Sequence, residues 1–471
     1  MSAVSAVSAV SPSAGTAAGA SQPRIMLLVL DGLADRQYEE LGGMTPLEAA
    51  YTPNLDALAA AGSNGFMYPL SPGLCPSSFQ AHFALFGYPL DRFPGRGLLE
   101  ARGEGIELAP GDVVMRANML LAEDRDGTYL VTARPDPREG FDAFAGLDLD
   151  MRVGDVDVRF VPTGNLQGFA IFSAAKPLSH EVTDADPFGA GLPVIAVQPF
   201  AEAVDGVGAA RTAAAANEWM RRARDIVCTA VSAKQLLAVA DHTGTRAASD
   251  TSGRPMVVTK WAGAQVELQP FSARFGLRAA TVATGPLYGG VGVTLGMDQR
   301  DIEDFGQHPT EDLRSRIERG LELLGGEYDF VHVHTKVPDS AGHRKNPAHK
   351  RDRIAELDLA FDELVRTMPE WRDRMALAVT ADHATPAGGP LYHSGEAVPL
   401  AIVGGVAGRD EVTRFGERTS RRGDFGQLRG VDLMPVLLNA ADRSRFLAER
   451  FTADERFGVV APEDLNPLRK L

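Results

Sequence analysis

At 471 residues the chain is too long for one compact core and is read as two or three domains. Its net charge of -15 excludes general nucleic-acid binding, which needs a basic face to displace phosphate counterions, yet leaves room for a small anionic substrate where metal ions reverse the local sign. The two cysteines, Cys75 and Cys228, exclude a disulfide framework and fit a reducing cytoplasm, and no apolar run reaches the ~20 residues that a membrane span requires.

The first 22 residues repeat Ser-Ala-Val and then turn Ala/Gly/Ser-rich, without the basic start and continuous apolar stretch of a signal peptide, and read as a disordered tail. Order is expected from Arg24, where Ile25-Met26-Leu27-Leu28-Val29-Leu30 is a continuous apolar run ending in Asp31-Gly32. Such a run suits a strand buried on both faces of a parallel sheet. Residues 52–61 read as a helix closed by Gly62. From Asp112 to Pro286 the texture changes to short alternating segments, such as 156–161 and 168–172, with one Ala-rich helical stretch over 212–229. This middle part reads as an inserted α+β domain. After it come helical spacing over 309–324, a buried strand at 328–334, helical spacing over 351–367 and a buried strand at 375–380. Alternation of buried strand and helix predicts a doubly wound, mostly parallel α/β core. The core is therefore expected to be discontinuous, 23–111 with 287–460, around an insert at 112–286.

Each of the three strands delivers polar residues at its C-terminal end, where open α/β sheets place ligand sites. The first gives Asp31; the second gives Lys336 and then Asp339-Ser340-Ala341-Gly342-His343; the third gives Asp382-His383, followed ten residues on by His393. On a helical turn Asp339 and His343 share a face, and a carboxylate with an imidazole suits Zn, Mn or a similar divalent ion. Taken alone, the Asp339/His343 spacing is better explained by a structural cap and a surface histidine, and Asp382-His383 also reads as an N-cap Asp beside an incidental histidine. Ser78 follows a Pro/Gly turn at an expected helix N-terminus, a position that favours anions and is also filled by ordinary capping serines. Together Asp31, Ser78, Asp339, His343, Asp382, His383 and His393 supply seven oxygen or nitrogen groups, about the number that two divalent ions take while keeping an open position.

The order of these pieces resembles the alkaline phosphatase superfamily, and within it the archaeal-type 2,3-bisphosphoglycerate-independent phosphoglycerate mutases. The matching text includes 29–35, Leu41 to Ala50, Gly95-Arg96-Gly97-Leu98-Leu99-Glu100-Ala101, Met115-Arg116-Ala117-Asn118, Asp339 to His343, 380–386 and His393 to Glu396. The resemblance implies one metal held by Asp31, Ser78, Asp382 and His383 and another by Asp339, His343 and His393, the ions being Mn, Zn or Mg. It implies that Ser78 takes a phosphoryl group, that Lys336 stabilises its charge, and that Arg96, Arg116, His82 and Asp184 lie on the substrate side, Arg96 being equally readable as a structural salt bridge. Where the family usually reads Ser-Asp-Thr-Ala-His this chain has Ser78-Phe79-Gln80-Ala81-His82, and where the family tends to have a His-Arg pair it has Leu166-Gln167.

The resemblance implies metal-dependent phosphoryl transfer through phosphoserine, interconverting 2- and 3-phosphoglycerate. The altered residues favour a phosphatase or phosphotransferase acting on another small phosphorylated or phosphonylated carboxylate. A binding protein that kept the fold without turnover is the third reading. The expected partner is a small anionic phospho-carboxylate, with neither nucleic acid nor membrane; the oligomeric state is open.

Overall fold

In the computed structural model the structure describes residues 22–135, 141–237, 253–300, 302 and 308–444. The expected N-terminal tail therefore lies outside the described residues, except for Gln22, as does the end of the expected core beyond 444.

The apolar run at the start forms the strand Arg24–Leu30, central in an eight-stranded sheet. From one edge the order is Asp298–Arg300, Ala279–Val282, Phe330–Thr335, Arg24–Leu30, Met375–Thr380, Val398–Gly404, Ser63–Tyr68 and Gly426–Arg429. Arg24–Leu30 runs parallel to both neighbours, and only Val398–Gly404 runs antiparallel to the strands beside it. Helices such as Pro53–Ala61, Pro309–Gly325 and Pro347–Asp358 cover the sheet, which explains why its middle strands are buried on both faces. The chain is thus α/β with a mostly parallel sheet. Helical spacing over 351–367 resolves into three pieces, with a 3-10 turn at Leu359–Phe361 between Pro347–Asp358 and Asp362–Arg366.

The register decides where the polar residues emerge. Leu30 is opposite Thr335 and Val29 is opposite Thr380, so Asp31, Lys336 and Ala381-Asp382 leave the sheet along one edge. Gly32 follows with a φ of +67°, and a Cβ there would stand 2.5 Å from Thr385 Oγ1 and 2.8 Å from the Asp339 Cα. No side chain fits between these loops, so only glycine lets them close on one another.

A second sheet holds Thr128–Ala133, Val113–Arg125, Gln167–Ala174, Val156–Gly164 and Met151–Val153 in that order, with Arg254–Ala264 also paired to Val113–Arg125. All of its pairings are antiparallel. The Ala-rich stretch forms the helix Gly206–Ala230, longer at its N-terminus than the spacing predicts because Asp205 caps it by accepting from the Gly208 N–H at 2.9 Å. Trp219 of that helix is fully buried and its indole donates to the Leu149 carbonyl at 3.0 Å. The chain rejoins the eight-stranded sheet at Ala279–Val282, ahead of residue 287.

Below the sheet edge, a buried ammonium ties the loops together. Lys350 Nζ, fully inaccessible, reaches Asp35 Oδ2 at 2.9 Å and the carbonyls of Gly32, Ala34 and Thr385 at 2.8, 3.1 and 2.8 Å. Two of these carbonyls belong to the loop after Arg24–Leu30 and one to the loop after Met375–Thr380. Replacing Lys350 by Met leaves the buried Asp35 carboxylate without its cationic partner, with only the Tyr38 hydroxyl and backbone N–H groups to hold it. It is expected to destabilise the protein by about 3–5 kcal/mol, read as a fall in the urea midpoint.

Glu417 is buried beside this tether, accepting from Thr45 Oγ1 at 2.8 Å and from the Asp35 N–H at 3.2 Å. Burial pushes its pKa up from 4.5 to about 7. The folded state thus binds this proton more tightly than the unfolded state. The associated stability is complete below about pH 4.5 and is lost as pH rises through about 7, a contribution on the order of 3 kcal/mol at most. Glu417→Gln is expected to flatten the fall in stability over that window, as measured by urea unfolding at a series of pH values.

Candidate active site

The site is built on the edge where the three parallel strands end. Asp31, Asp339 and Asp382 are 0, 1 and 0% exposed, so three carboxylates share one dry space. Asp382 Oδ1 accepts from the Gly32 N–H at 3.0 Å, and Asp339 Oδ1 accepts from Thr385 Oγ1 at 2.7 Å. Asp31 Oδ2 accepts from the Tyr288 hydroxyl and lies 3.0 Å from His334 Nε2.

Ser78 is the first residue of the helix Ser78–Leu85. The cap itself is Ser77, which forms a reciprocal capping box with Gln80. Ser78 is thereby released from capping, and its Oγ stands 2.9 Å from His383 Nε2. Behind it His82 Nδ1 donates to the Ser78 carbonyl at 2.8 Å and lies 3.5 Å from Asp382 Oδ2. On the other side, His343 and His393 bring their Nε2 atoms to 3.1 and 3.4 Å from Asp339 Oδ1, and the His393 ring stacks on His383 with centroids 3.7 Å apart. All seven candidate ligands are therefore drawn into one cluster.

Asp31 Oδ1, Asp382 Oδ2, Asp339 Oδ2, His343 Nε2 and His393 Nε2 are buried without a hydrogen-bond partner. Donor and acceptor atoms face one another at 3.1–3.4 Å, yet hydrogen-bond geometry is missing at these atoms. Unpartnered buried polar atoms are costly and rare. Two sets converge within 4.8 Å, Asp339-His343-His393 and Asp31-Asp339-His383. Hard carboxylate oxygens and imidazole nitrogens so placed fit divalent metal ions, with Asp339 standing between the two sets.

Protonation follows from burial and charge. Burial, then the Asp31 carboxylate, pushes the Asp382 pKa well above the usual carboxylate range. Burial pushes both His82 and His383 down to about 3, so both are neutral near pH 7 and available as nitrogen donors. For Lys336, burial opposes the charge but Asp31 and Asp339 outweigh it and hold the pKa above the ordinary lysine value. Its Nζ lies 3.2 Å from Asp339 Oδ2 and 3.4 Å from the Tyr288 hydroxyl.

Beside Ser78 a cavity of about 490 Å³ is lined by Ser77, Phe79, Gln80, Arg96, Asp184 and Trp261, among others. The Arg96 guanidinium lies between two rings, 4.2 Å from the Phe79 centroid and 3.1 Å from the Trp261 centroid, and its Nε donates to Glu100 at 2.8 Å. Asp184 accepts from the Trp261 N–H, and Trp261 itself has a φ of +56°, a costly conformation for a bulky residue. Arg116 donates to Gln167 and packs over Phe169 at 4.7 Å. Leu166, which with Gln167 stands where the family tends to have a His-Arg pair, is buried in the apolar core of the second sheet, a packing position.

Sequence reasoning passes over Tyr288, His334 and Thr385, which all touch the cluster. His332 and His334 carry the available signal: two histidines at alternate positions of a buried strand point to one face. For Tyr288 and Thr385 no spacing marks the role.

A family model described as the Metalloenzyme superfamily matches residues 23–440. A 2,3-bisphosphoglycerate-independent phosphoglycerate mutase from Methanopyrus kandleri is 37% identical over 430 residues, covering 89% of this chain and 97% of that protein. The chain belongs to this family. A relative of the same description from Thermococcus gammatolerans is 32% identical, covering 89% of this chain and 97% of its own length. Among solved structures, a Pyrococcus horikoshii protein aligns with a TM-score of 0.67 at 26% identity, covering 90% of this chain and 98% of that one. The cofactor-independent phosphoglycerate mutase from Thermoplasma acidophilum aligns with a TM-score of 0.60 at 27% identity, covering 89% and 100%. Family membership and the buried carboxylate–imidazole cluster together support use of a divalent metal. Among the described residues no helix is long and apolar enough to cross a membrane.

Chelation is expected to lower the melting temperature, because three buried carboxylates are then left facing one another. Asp382→Asn keeps the acceptor for Gly32 and removes one charge. In EDTA it is expected to melt about 2–4 °C above the chelated parent, and in added Mn it should melt below the parent, measured by scanning fluorimetry at pH 8. A variant that melts lower under both conditions would show that something other than carboxylate repulsion limits the stability of the metal-free protein.

Proposed function

We propose that this mutase-family member interconverts 2- and 3-phosphoglycerate through phospho-Ser78. The observation that carries the reading is the position of Ser78 Oγ, freed from helix capping and set 2.9 Å from His383 within the carboxylate–imidazole cluster. Asp31, Ser78, Asp382 and His383 would hold one divalent ion, and Asp339, His343 and His393 a second; Mn, Zn and Mg all suit such ligands. Bound there, the ions lower the pKa of the serine hydroxyl and offset phosphoryl charge.

Ser78 Oγ attacks the substrate phosphorus, the bond from phosphorus to the substrate oxygen breaks, and that oxygen takes up a proton. The glycerate stays in the cleft and presents its other hydroxyl, which attacks phospho-Ser78 and restores the free serine. The N-terminus of the helix Ser78–Leu85 favours the extra negative charge on Ser78. Lys336, kept cationic by Asp31 and Asp339, offsets charge on the moving phosphoryl group. His82 holds the Ser78 backbone through its carbonyl, a positioning role. Arg96, Arg116 and Asp184 form the substrate side, and residues from about 112 to the return at Ala279 serve as a substrate-binding domain over the metal-binding core.

Phe79 and Gln80, which follow Ser78 in the chain and line the cavity beside Arg96, favour a second reading, the same chemistry on another small phosphorylated or phosphonylated carboxylate. Phosphorus-31 NMR of the Mn-loaded enzyme separates them. Interconversion of the two phosphoglycerates without phosphate release is the expected outcome, and absence of turnover of either sinks the mutase reading. Ser78→Ala is expected to lower the rate by on the order of 10³-fold with an unchanged circular dichroism spectrum. Survival of more than a few per cent of the activity would remove Ser78 as nucleophile and point to Ser77.

A further inference from the structure

A second cavity of about 370 Å³, sharing no lining residue with the one beside Phe79 and Gln80, opens beside Tyr288, His334 and Lys336. Its wall carries four cationic side chains, Arg316, Lys336, Arg344 and Arg353, together with His349, against the single carboxylate of Asp312. In a chain of net charge -15 this is a concentration of positive charge, and a concave wall focuses its field inward. Arg316 is 3% exposed and held from behind, by both Asp312 oxygens at 2.8 and 2.9 Å and by Thr284. Arg353 lies 2.6 Å from Glu356, which is not on the wall. Arg344 makes no ion pair with any described residue.

The backbone adds donors of the same sign. Gly285, on the cavity wall, is the N-cap of the nine-residue helix Pro286–Thr294 and supplies no side chain to cap it. A Cβ at Gly285 would meet nothing within 4 Å, so open space lies beside this helix start. Uncapped N–H groups and the positive end of the helix dipole thus border the same space as the guanidinium groups.

We propose that this cavity is an oxyanion site, distinct from the metal cluster, whose occupant is held by Arg344 and Arg353. Two sources share the chemistry: the second anionic group of a substrate already engaged at Ser78, or a free inorganic oxyanion. The cavity shares Lys336 and Tyr288 with the cluster, so an anion bound in it also contributes to the field at Ser78.

Sulfate is the probe, as a tetrahedral dianion that cannot be transferred. Calorimetric titration of the Mn-loaded full-length enzyme is expected to show two sulfates per chain. Arg344→Ala/Arg353→Ala is expected to show one, and Arg344→Lys/Arg353→Lys to restore the second at reduced affinity. The same number of sulfates in the alanine variant as in the parent, with unchanged affinities, overturns the proposal. The source of the anion is read from kinetics, an arm that rests on the mutase reading above. If the substrate fills the site, the alanine variant raises KM for phosphoglycerate at least tenfold with kcat within about twofold. If a free anion fills it, KM is unchanged and the dependence of the parent's rate on added sulfate disappears. Sulfate stoichiometry requires no turnover, so failure of the mutase reading leaves the binding test intact.

Discussion

Mutual repulsion among Asp31, Asp339 and Asp382 is the constraint on which the arrangement of this protein depends. Three carboxylates at most 1% exposed cannot all stay ionised in a low-dielectric space without positive charge among them. The neighbouring histidines do not supply it, since burial keeps His82, His383 and His334 neutral. Lys336 supplies one charge, from the rim. A divalent cation held among these carboxylates would balance the remainder, and the same positive charge would make a buried serine hydroxyl reactive. Stability and chemistry thus make a common demand on this site.

Holding such a cluster together requires support from residues that never meet a substrate. Gly32 lets the Asp31 loop approach Asp339 and Thr385 where any Cβ would collide. Lys350 gathers the carbonyls of two strand-end loops around one ammonium, and Asp35 balances its charge. The Ser77–Gln80 capping box relieves Ser78 of a structural duty. Each device fixes backbone rather than side chain, which suits a cluster whose side chains repel until cations join them.

The two cavities beside the cluster differ in chemistry. The one next to Phe79 is partly aromatic, with the Arg96 guanidinium over the rings of Phe79 and Trp261, and Trp261, in a strained backbone conformation, donating its N–H to Asp184. The one next to Lys336 is cationic. Gln80 shows how a departure from the family pattern can be structural as well as functional: it completes the capping box while it also faces the first cavity. Leu166 and Gln167, adjacent in the chain, divide between packing and a hydrogen bond to Arg116, Leu166 lying in the turn that leads into the strand that Gln167 begins.

The apolar runs at 25–30 and 375–379 determined by themselves that these strands are buried on both faces, since no polar side chain interrupts them; the sequence also placed Asp31, Lys336 and Asp382 at strand ends. Asp339 and His343 were legible as a pair because a helical turn alone brings i and i+4 together. Only the tertiary structure decided that Tyr288 from a distant helix bonds Asp31, that Thr385 bonds Asp339, and that Ser77 rather than Ser78 is the cap. Those contacts depend on how separate elements pack, and hydrophobic periodicity carries no information about which polar groups then meet. The cationic cavity is of the same kind: Arg316 and Arg353 come from two helices, Lys336 and Arg344 from the two ends of a third, and only their packing gathers like charges that the sequence leaves apart.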